Sequence, residues 1–238
     1  MKLAIMQPYA FPYLGYFQLI HAVDRFILLD NVNFIVRGYI NRNQVLGPDG
    51  PAPFTIPVQD ASQNRLIHDI DIADDSPWQS KLLKTLAQTY QNAPQYHSAF
   101  PLIEHLITTA HGNLAHFIQN SLSELNQYLQ INTPVTTAST ISTDPDLRAQ
   151  DRILALCQHE NASEYINAEG GRELYDAPAF HSHNIQLTFL EHTPVPYPQF
   201  KEPFVPRLSI IDALMFNSPE ALAQRLTEYQ LHPEPASS

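Results

Sequence analysis

The 238 residues carry a formal charge of −11, with 44% hydrophobic and 16% charged side chains. That balance describes a globular chain and excludes a protein that wraps nucleic acid, which needs clustered lysines and arginines. No apolar run approaches the ~20 residues of a membrane span, and Cys157, the single cysteine, excludes an internal disulfide.

Met1-Lys2 leads directly into an apolar run with no small-residue cleavage site, so no secretory signal is expected and the cytoplasm is the expected compartment. Lys2 to Met6 reads as a buried strand. It runs into Gln7-Pro8-Tyr9-Ala10-Phe11-Pro12-Tyr13-Leu14-Gly15-Tyr16-Phe17, a loop far richer in rings and prolines than a plain strand-to-helix turn requires. Gly15 to Val23 places Tyr16, Leu19, Ile20 and Val23 at helical spacing, and Arg25 to Leu29 is a second buried strand. Strand, helix and strand in about thirty residues predict a βαβ unit with parallel neighbours. Asn33 to Val45 is polar and aromatic, Gly47 to Pro51 is a tight turn, and Ala52 to Val58 is the expected returning strand of a hairpin. Ile67 to Ile72 alternates isoleucine with polar residues and fits an edge strand.

The middle of the chain is expected to be helical over about 77–130. Ser76-Pro77 starts a helix that runs to about Gln91, and His97 to Thr109 and Asn113 to Leu129 follow with helical periodicity. Asn132 to Ser142 is β-prone, Asp146 to Gln158 helical, Tyr165 to Asn167 a short strand before Gly170-Gly171, and Ile185 to Leu190 a further strand. A proline-rich stretch from Thr193 to Pro206 leads to a helix from Ser209, a candidate cap, to Phe216. The expected architecture is α/β, a mainly parallel sheet of Rossmann-like type with flanking helices. Residues 1–230 form a single domain and residues 231–238 a disordered tail.

Rigid rings and prolines at the carboxyl end of a strand suggest a shaped surface where open α/β sheets bind ligands; the competing reading makes the rings ordinary core. The free amides at the start of the following helix offer an anion site, in which Gln7, Tyr13, Gly15 and Tyr16 are candidate ligand contacts. Arg37, Asn41, Arg42 and Asn43 form the densest polar run and suit phosphate or carboxylate. Asn167, Gly170 and Gly171 form a second candidate, where backbone amides approach an anion. The seven glycines give neither G-x-G-x-x-G nor a Walker-type loop. The first loop is loosely like nucleotide-binding domains with a His-x-Gly-His element, Gly15-Tyr16 standing for Gly-His; neither histidine is present. His181, His183 and His192 lack nearby Asp or Cys to complete a ligand set, so no metal is expected.

Three blocks go beyond generic α/β: residues 5–43 (IMQPYAFPYLGYFQLIHAVDRFILLDNVNF with RGYINRN), residues 165–176 (YINAEGGRELYD), and YPQF with LSIIDALMFN in residues 197–217. In this order they resemble the WbqC-like family of bacterial proteins across nearly the whole chain, with departures at Ala10 and Gln44. The resemblance implies a role in O-antigen or other surface-polysaccharide biosynthesis. The implied reaction transfers an acyl or aminoacyl group to the amine of a nucleotide-activated amino sugar. An acyl carrier protein or acyl-CoA is a candidate donor, and no other cofactor is expected. Such chemistry needs a proton acceptor and oxyanion donors. Asp30 and Asp212 are candidate bases, and Gln7, Tyr9 and Asn31 candidate donors, with Tyr9 in the catalytic set. Arg37 and Arg42 would hold a diphosphate. The alternatives are an accessory protein that binds a sugar nucleotide without turnover, and a divergent nucleotide-binding enzyme.

Overall fold

Alternate residues of each central strand are committed to opposite layers, as the two-residue period of a strand requires. In the computed structural model, which describes residues 1–73 and 76–235, β1 (Lys2–Met6) sends Leu3 and Ile5 to one face and Ala4 to the other. The same division continues in β2 (Arg25–Leu28), where Ile27 faces one way and Phe26 and Leu28 the other. Between the two strands runs α1 (Leu14–His21), which buries Tyr16, Phe17, Leu19 and Ile20 on the Ala4 face. β1 and β2 pair in parallel, Leu3 opposite Arg25 through Met6 opposite Leu28, as the apolar runs predict.

The hairpin is β3 (Arg42–Gly47) and β4 (Gly50–Thr55), a separate two-stranded antiparallel ladder closed by Gly47 opposite Gly50. The Ile67 to Ile72 segment is not an edge strand. Residues Ile67–Asp69 make a 3₁₀ turn, and single bridges at Leu66, Asp71 and Ile72 go to three different partners. Ile67, Ile70 and Ile72 are all fully buried, so burial overrode the alternating pattern.

Helices α2 (Trp78–Tyr90), α3 (Tyr96–Thr108) and α4 (Leu114–Tyr128) build the expected helical middle. Pro77 rather than Ser76 holds the cap position of α2, and the Asn113 side chain caps α4 by accepting from the His116 amide. The three helices pack on the same face as α1. The chain then returns to the sheet as β5 (Val135–Thr137), crosses by α5 (Ala149–His159) and enters β6 (Glu164–Ala168). Helix α6 (Ala177–Ser182) and strand β7 (Gln186–His192) follow, and α5 and α6 cover the face opposite α1. After the proline-rich stretch come α7 (Ile210–Phe216), α8 (Pro219–Arg225) and β8 (Tyr229–Pro233).

Strand β8 pairs antiparallel with β7, so the segment from Leu231, expected as a disordered tail, enters the sheet through Pro233. It does so because Leu231 packs on the core and each β8 residue finds a ladder partner on β7. Residues 236–238 lie outside the described ones. The six-stranded order is β5-β2-β1-β6-β7-β8, parallel except at β8. Chain direction across the sheet therefore reverses between β1 and β6, and a crevice at the carboxyl ends of such a pair is where open α/β sheets bind ligands. No helix among the described residues is long and apolar enough to cross a membrane.

Candidate functional site

A cavity of about 390 Å³ opens at that reversal point. The β1–α1 loop contributes Tyr9, Pro12, Tyr13 and Gly15 to it. The hairpin arm adds Tyr39 and Asn43, the end of β6 adds Ala168, Glu169 and Gly170, and the end of β7 adds Leu190 and His192. Arg207 closes it from the proline-rich stretch. A larger cavity of about 630 Å³ lies between the β3–β4 turn, α2 and residues 200–205, away from the strand ends; it lacks the grouped phenols, imidazole and guanidinium that could do chemistry.

The loop's shape follows from where its backbone polar groups find partners. Phe11 sits in the left-handed region (φ 46°), turning the chain sharply between two prolines and tyrosines. Its carbonyl accepts from Asn43 Nδ2 at 2.7 Å and from Ser209 Oγ at 2.7 Å. The Ala10 amide donates to the Ile40 carbonyl at 3.0 Å, and the Ile210 amide to the Pro12 carbonyl at 2.8 Å. Hairpin, loop and the start of α7 are thereby tied together, and Ser209 also caps α7 as its position predicts. Gly15 is required by close approach. A Cβ there would stand 2.4 Å from Tyr13 Cε2 and 2.9 Å from His192 Cγ.

Three phenols form the apolar wall. Tyr9 lies with its ring centroid 6.1 Å from Tyr39 and 5.7 Å from Tyr16. Burial pushes the Tyr9 and Tyr13 phenols above their usual pKa, so both stay neutral donors. His192 packs edge-on against Tyr13 with centroids 5.4 Å apart. Its pKa is pushed down to about 4, first by burial and then by the charge of Arg207, so the ring is neutral at physiological pH. Arg207 is exposed and makes no ion pair among the described residues. The cavity thus offers one guanidinium, neutral phenols and a neutral imidazole: a set able to hold an anion and to move a proton beside it.

Arg207 is carried there by an anchored segment. Asp212 is fully buried in the first turn of α7. It accepts from Tyr197 Oη at 2.6 Å, Gln199 Nε2 at 2.8 Å and Tyr90 Oη at 2.9 Å. Gln199 Oε1 accepts the Val205 amide at 2.8 Å. Arg225 donates to the carbonyls of Val195 and Pro196 and lies over the Tyr197 ring.

The three sequence segments singled out do meet at this cavity, but through other residues than expected. Of the predicted contacts, Tyr9, Tyr13, Gly15, Asn43 and Gly170 line it. Tyr16 stands behind the wall, donating to the Gln7 carbonyl at 2.8 Å. Asn41 bonds the Ile56 carbonyl, holding the arm to the end of β4. Asn167, near the end of β6, is buried and donates to Tyr165 Oη and Tyr175 Oη, and a Cβ at Gly171 would stand 2.8 Å from its Oδ1.

Arg37 and Arg42 do not line the cavity. Arg37 is exposed in a left-handed turn of the arm (φ 67°), and Arg42 pairs across the hairpin with Thr55. Asn31 belongs to a different cavity at the ends of β2 and β5, beside Arg148 and Arg152. Neither candidate base reaches the site. Asp30 is buried with both oxygens on Ser139, and Asp212 is saturated by its three donors. The expected cleft joining Tyr9, Asn31, Arg42 and Asn167 does not form; only Tyr9 stands in this one.

Sequence reasoning missed His192 and Arg207. In the sequence His192 stands out only together with His181 and His183, yet the three bond separately: His192 to Gln18, His181 to the Glu234 carbonyl and His183 to Gln158. The signal that could have found it is its place as the last residue of a buried parallel strand. Arg207 directly follows the proline-rich stretch, two residues before a helix cap.

Comparison with known proteins agrees with this architecture in extent. A sequence model described as the WbqC-like protein family matches residues 7–224. An uncharacterized protein of Mycobacterium tuberculosis, Rv1507c, is 28% identical over 220 residues, covering 91% of this chain and 93% of its own. No solved structure matches the chain.

Proposed function

The chain belongs to the WbqC-like protein family, and from that premise we propose that it is a transferase that joins an acyl or aminoacyl group to the amine of a nucleotide-activated amino sugar. The setting is cytoplasmic synthesis of a surface-polysaccharide precursor such as O-antigen, with an acyl carrier protein or acyl-CoA as donor. We read the sheet as Rossmann-like, since its order places the strand reversal at the cavity.

One observation carries the reading: a guanidinium, a tyrosine wall and a neutral imidazole from four distant segments converge on one cavity at the strand reversal. Each alone is a weak site. Micromolar affinity needs about −8 kcal/mol, which several converging groups and an apolar wall supply together. Arg207 holds the diphosphate, Tyr9, Tyr13 and Tyr39 pack the sugar and base, and the neutral phenols are the hydroxyl donors for the oxyanion of the tetrahedral intermediate. The amine attacks the acyl carbon, the C–N bond forms, and the donor leaves with the bonding electrons.

The test is incubation with amino-sugar nucleotides and acyl donors, followed by mass spectrometry of the sugar nucleotide. An added acyl mass that requires both partners supports the transferase. Binding of the sugar nucleotide with no product under any donor favours the accessory-protein reading instead.

A further inference from the structure

We propose that His192 is the proton acceptor of this cavity, its Nε2 taking the proton given up by the attacking amine, and that Gln18 is the positioning residue that keeps this nitrogen unprotonated. The proposal rests on the acyl-transfer reading above.

The tautomer follows from a chain of hydrogen bonds. Gln18, on α1, is 1% exposed. Its Nε2 donates to the carbonyls of Arg225 at 2.7 Å and Glu228 at 3.0 Å. Both partners only accept, so the amide cannot be turned over without setting its carbonyl oxygen against two others. Its Oε1 therefore faces His192 Nδ1, at 2.6 Å. A carbonyl oxygen only accepts, so Nδ1 carries the hydrogen. In a neutral imidazole the other nitrogen, Nε2, then holds a lone pair.

Among the described residues no group hydrogen-bonds that nitrogen, and its ring lines the cavity. The ring is held by the edge of Tyr13 and by the absence of a side chain at Gly15. Burial and Arg207 both disfavour the imidazolium. An anion bound to Arg207 offsets the second effect, so the ring becomes a better base when substrate is in place. As the C–N bond forms and the acyl–donor bond breaks, one N–H proton passes to Nε2. The imidazolium then returns it to the departing donor atom, and the residue ends neutral as it began.

The experiment uses the full chain with ¹⁵N-labelled histidine, alongside His192→Gln and Gln18→Met. Long-range ¹⁵N–¹H correlation at pH 7 should show His192 with Nδ1 protonated and Nε2 bare, a signal absent from His192→Gln. Gln18→Met should collapse it towards a tautomer mixture. In the transfer assay His192→Gln should lower kcat at least 100-fold with KM within about threefold, and Gln18→Met should lower kcat while KM holds.

A proton on Nε2 in the wild-type spectrum overturns the proposal without any variant or substrate. Transfer at the wild-type kcat by folded His192→Gln overturns it while leaving the transferase reading intact. Absence of transfer by wild-type protein with every acceptor and donor overturns that reading, and the proposal with it.

Discussion

Replacing Asp212 separates a buried scaffold carboxylate from a catalytic one by the sign of a stability change. The carboxylate takes three donors, two of them phenol hydroxyls, of the buried Tyr90 and the half-buried Tyr197. In Asp212→Ala, Gln199 Nε2 keeps the Val205 carbonyl, whereas both hydroxyls lose their acceptor. Each stranded buried donor costs about 1–3 kcal/mol, so the variant should lose about 2–6 kcal/mol. Asp212→Asn keeps one acceptor oxygen but turns an NH₂ towards a donor. It also removes the charge that burial disfavours, so its loss should be smaller, about 1–3 kcal/mol. Urea unfolding of wild type, both variants and Tyr197→Phe measures these differences, and the Asp212–Tyr197 double-mutant cycle isolates one bond. Removal of a strained catalytic carboxylate commonly leaves stability unchanged or raised. If Asp212→Ala unfolded at the wild-type midpoint with an unchanged slope, the anchoring of the proline-rich segment, and with it the placement of Arg207, would be refuted.

Arg207→Gln should weaken binding of uridine diphosphate by about 10- to 150-fold, the loss of about 1.5–3 kcal/mol of charge-assisted contact. Arg37→Gln and Arg42→Gln should stay within about twofold of wild type by calorimetry, and an equal loss in all three would return the anion site to the hairpin arm. Gly15→Ala should cost about 1–3 kcal/mol of stability, because its methyl meets Tyr13 and His192; unchanged urea stability and ligand affinity would show that the rings are free to move. His192 has a folded pKa of about 4 against an ordinary 6.5, so the unfolded chain binds more protons between those values. Its contribution to stability is therefore present above pH 6.5 and lost as pH falls towards 4. Tyr9, Tyr13, Tyr39, Glu169 and Arg207 face the same cavity, and His192→Gln should flatten this part of the stability–pH curve. Burial pushes the Cys157 thiol up to about 12, so a disulfide reagent at pH 8 should label it only after unfolding.

Much of the frame was legible because local pattern and global packing agree. Continuous apolar runs at Lys2 to Met6 and Arg25 to Leu29 state that both faces of their strands are buried, and a parallel sheet is the fold that needs this. Ser209 is legible as a cap because its side chain serves the Ile211 amide, two residues on. The candidate site was legible only by segment, since the aromatic loop, the arm and the end of β6 carry unusual composition. Its individual residues depend on contacts that sequence does not display. Arg37 and Arg42 have the chemistry for an anion, but the hairpin turns them elsewhere. Asp212 looks like a free acid on a helix until Tyr90, 122 residues away, donates to it. His192 depends on Gln18, 174 residues distant, for its tautomer. β8 was missed because a five-residue strand near the end has too little pattern to rise above its polar neighbours.

The central claim is that the cavity between the ends of β1, β6 and β7 is where substrate sits. A crystal structure of the protein with a uridine diphosphate amino sugar tests it most directly. The account predicts the diphosphate on the Arg207 guanidinium, the ligand packed along Tyr9, Tyr13 and Tyr39, and the sugar amine within hydrogen-bonding reach of His192 Nε2. Ordered ligand at the ends of β2 and β5 beside Arg148 and Arg152, with the first cavity empty, would contradict it.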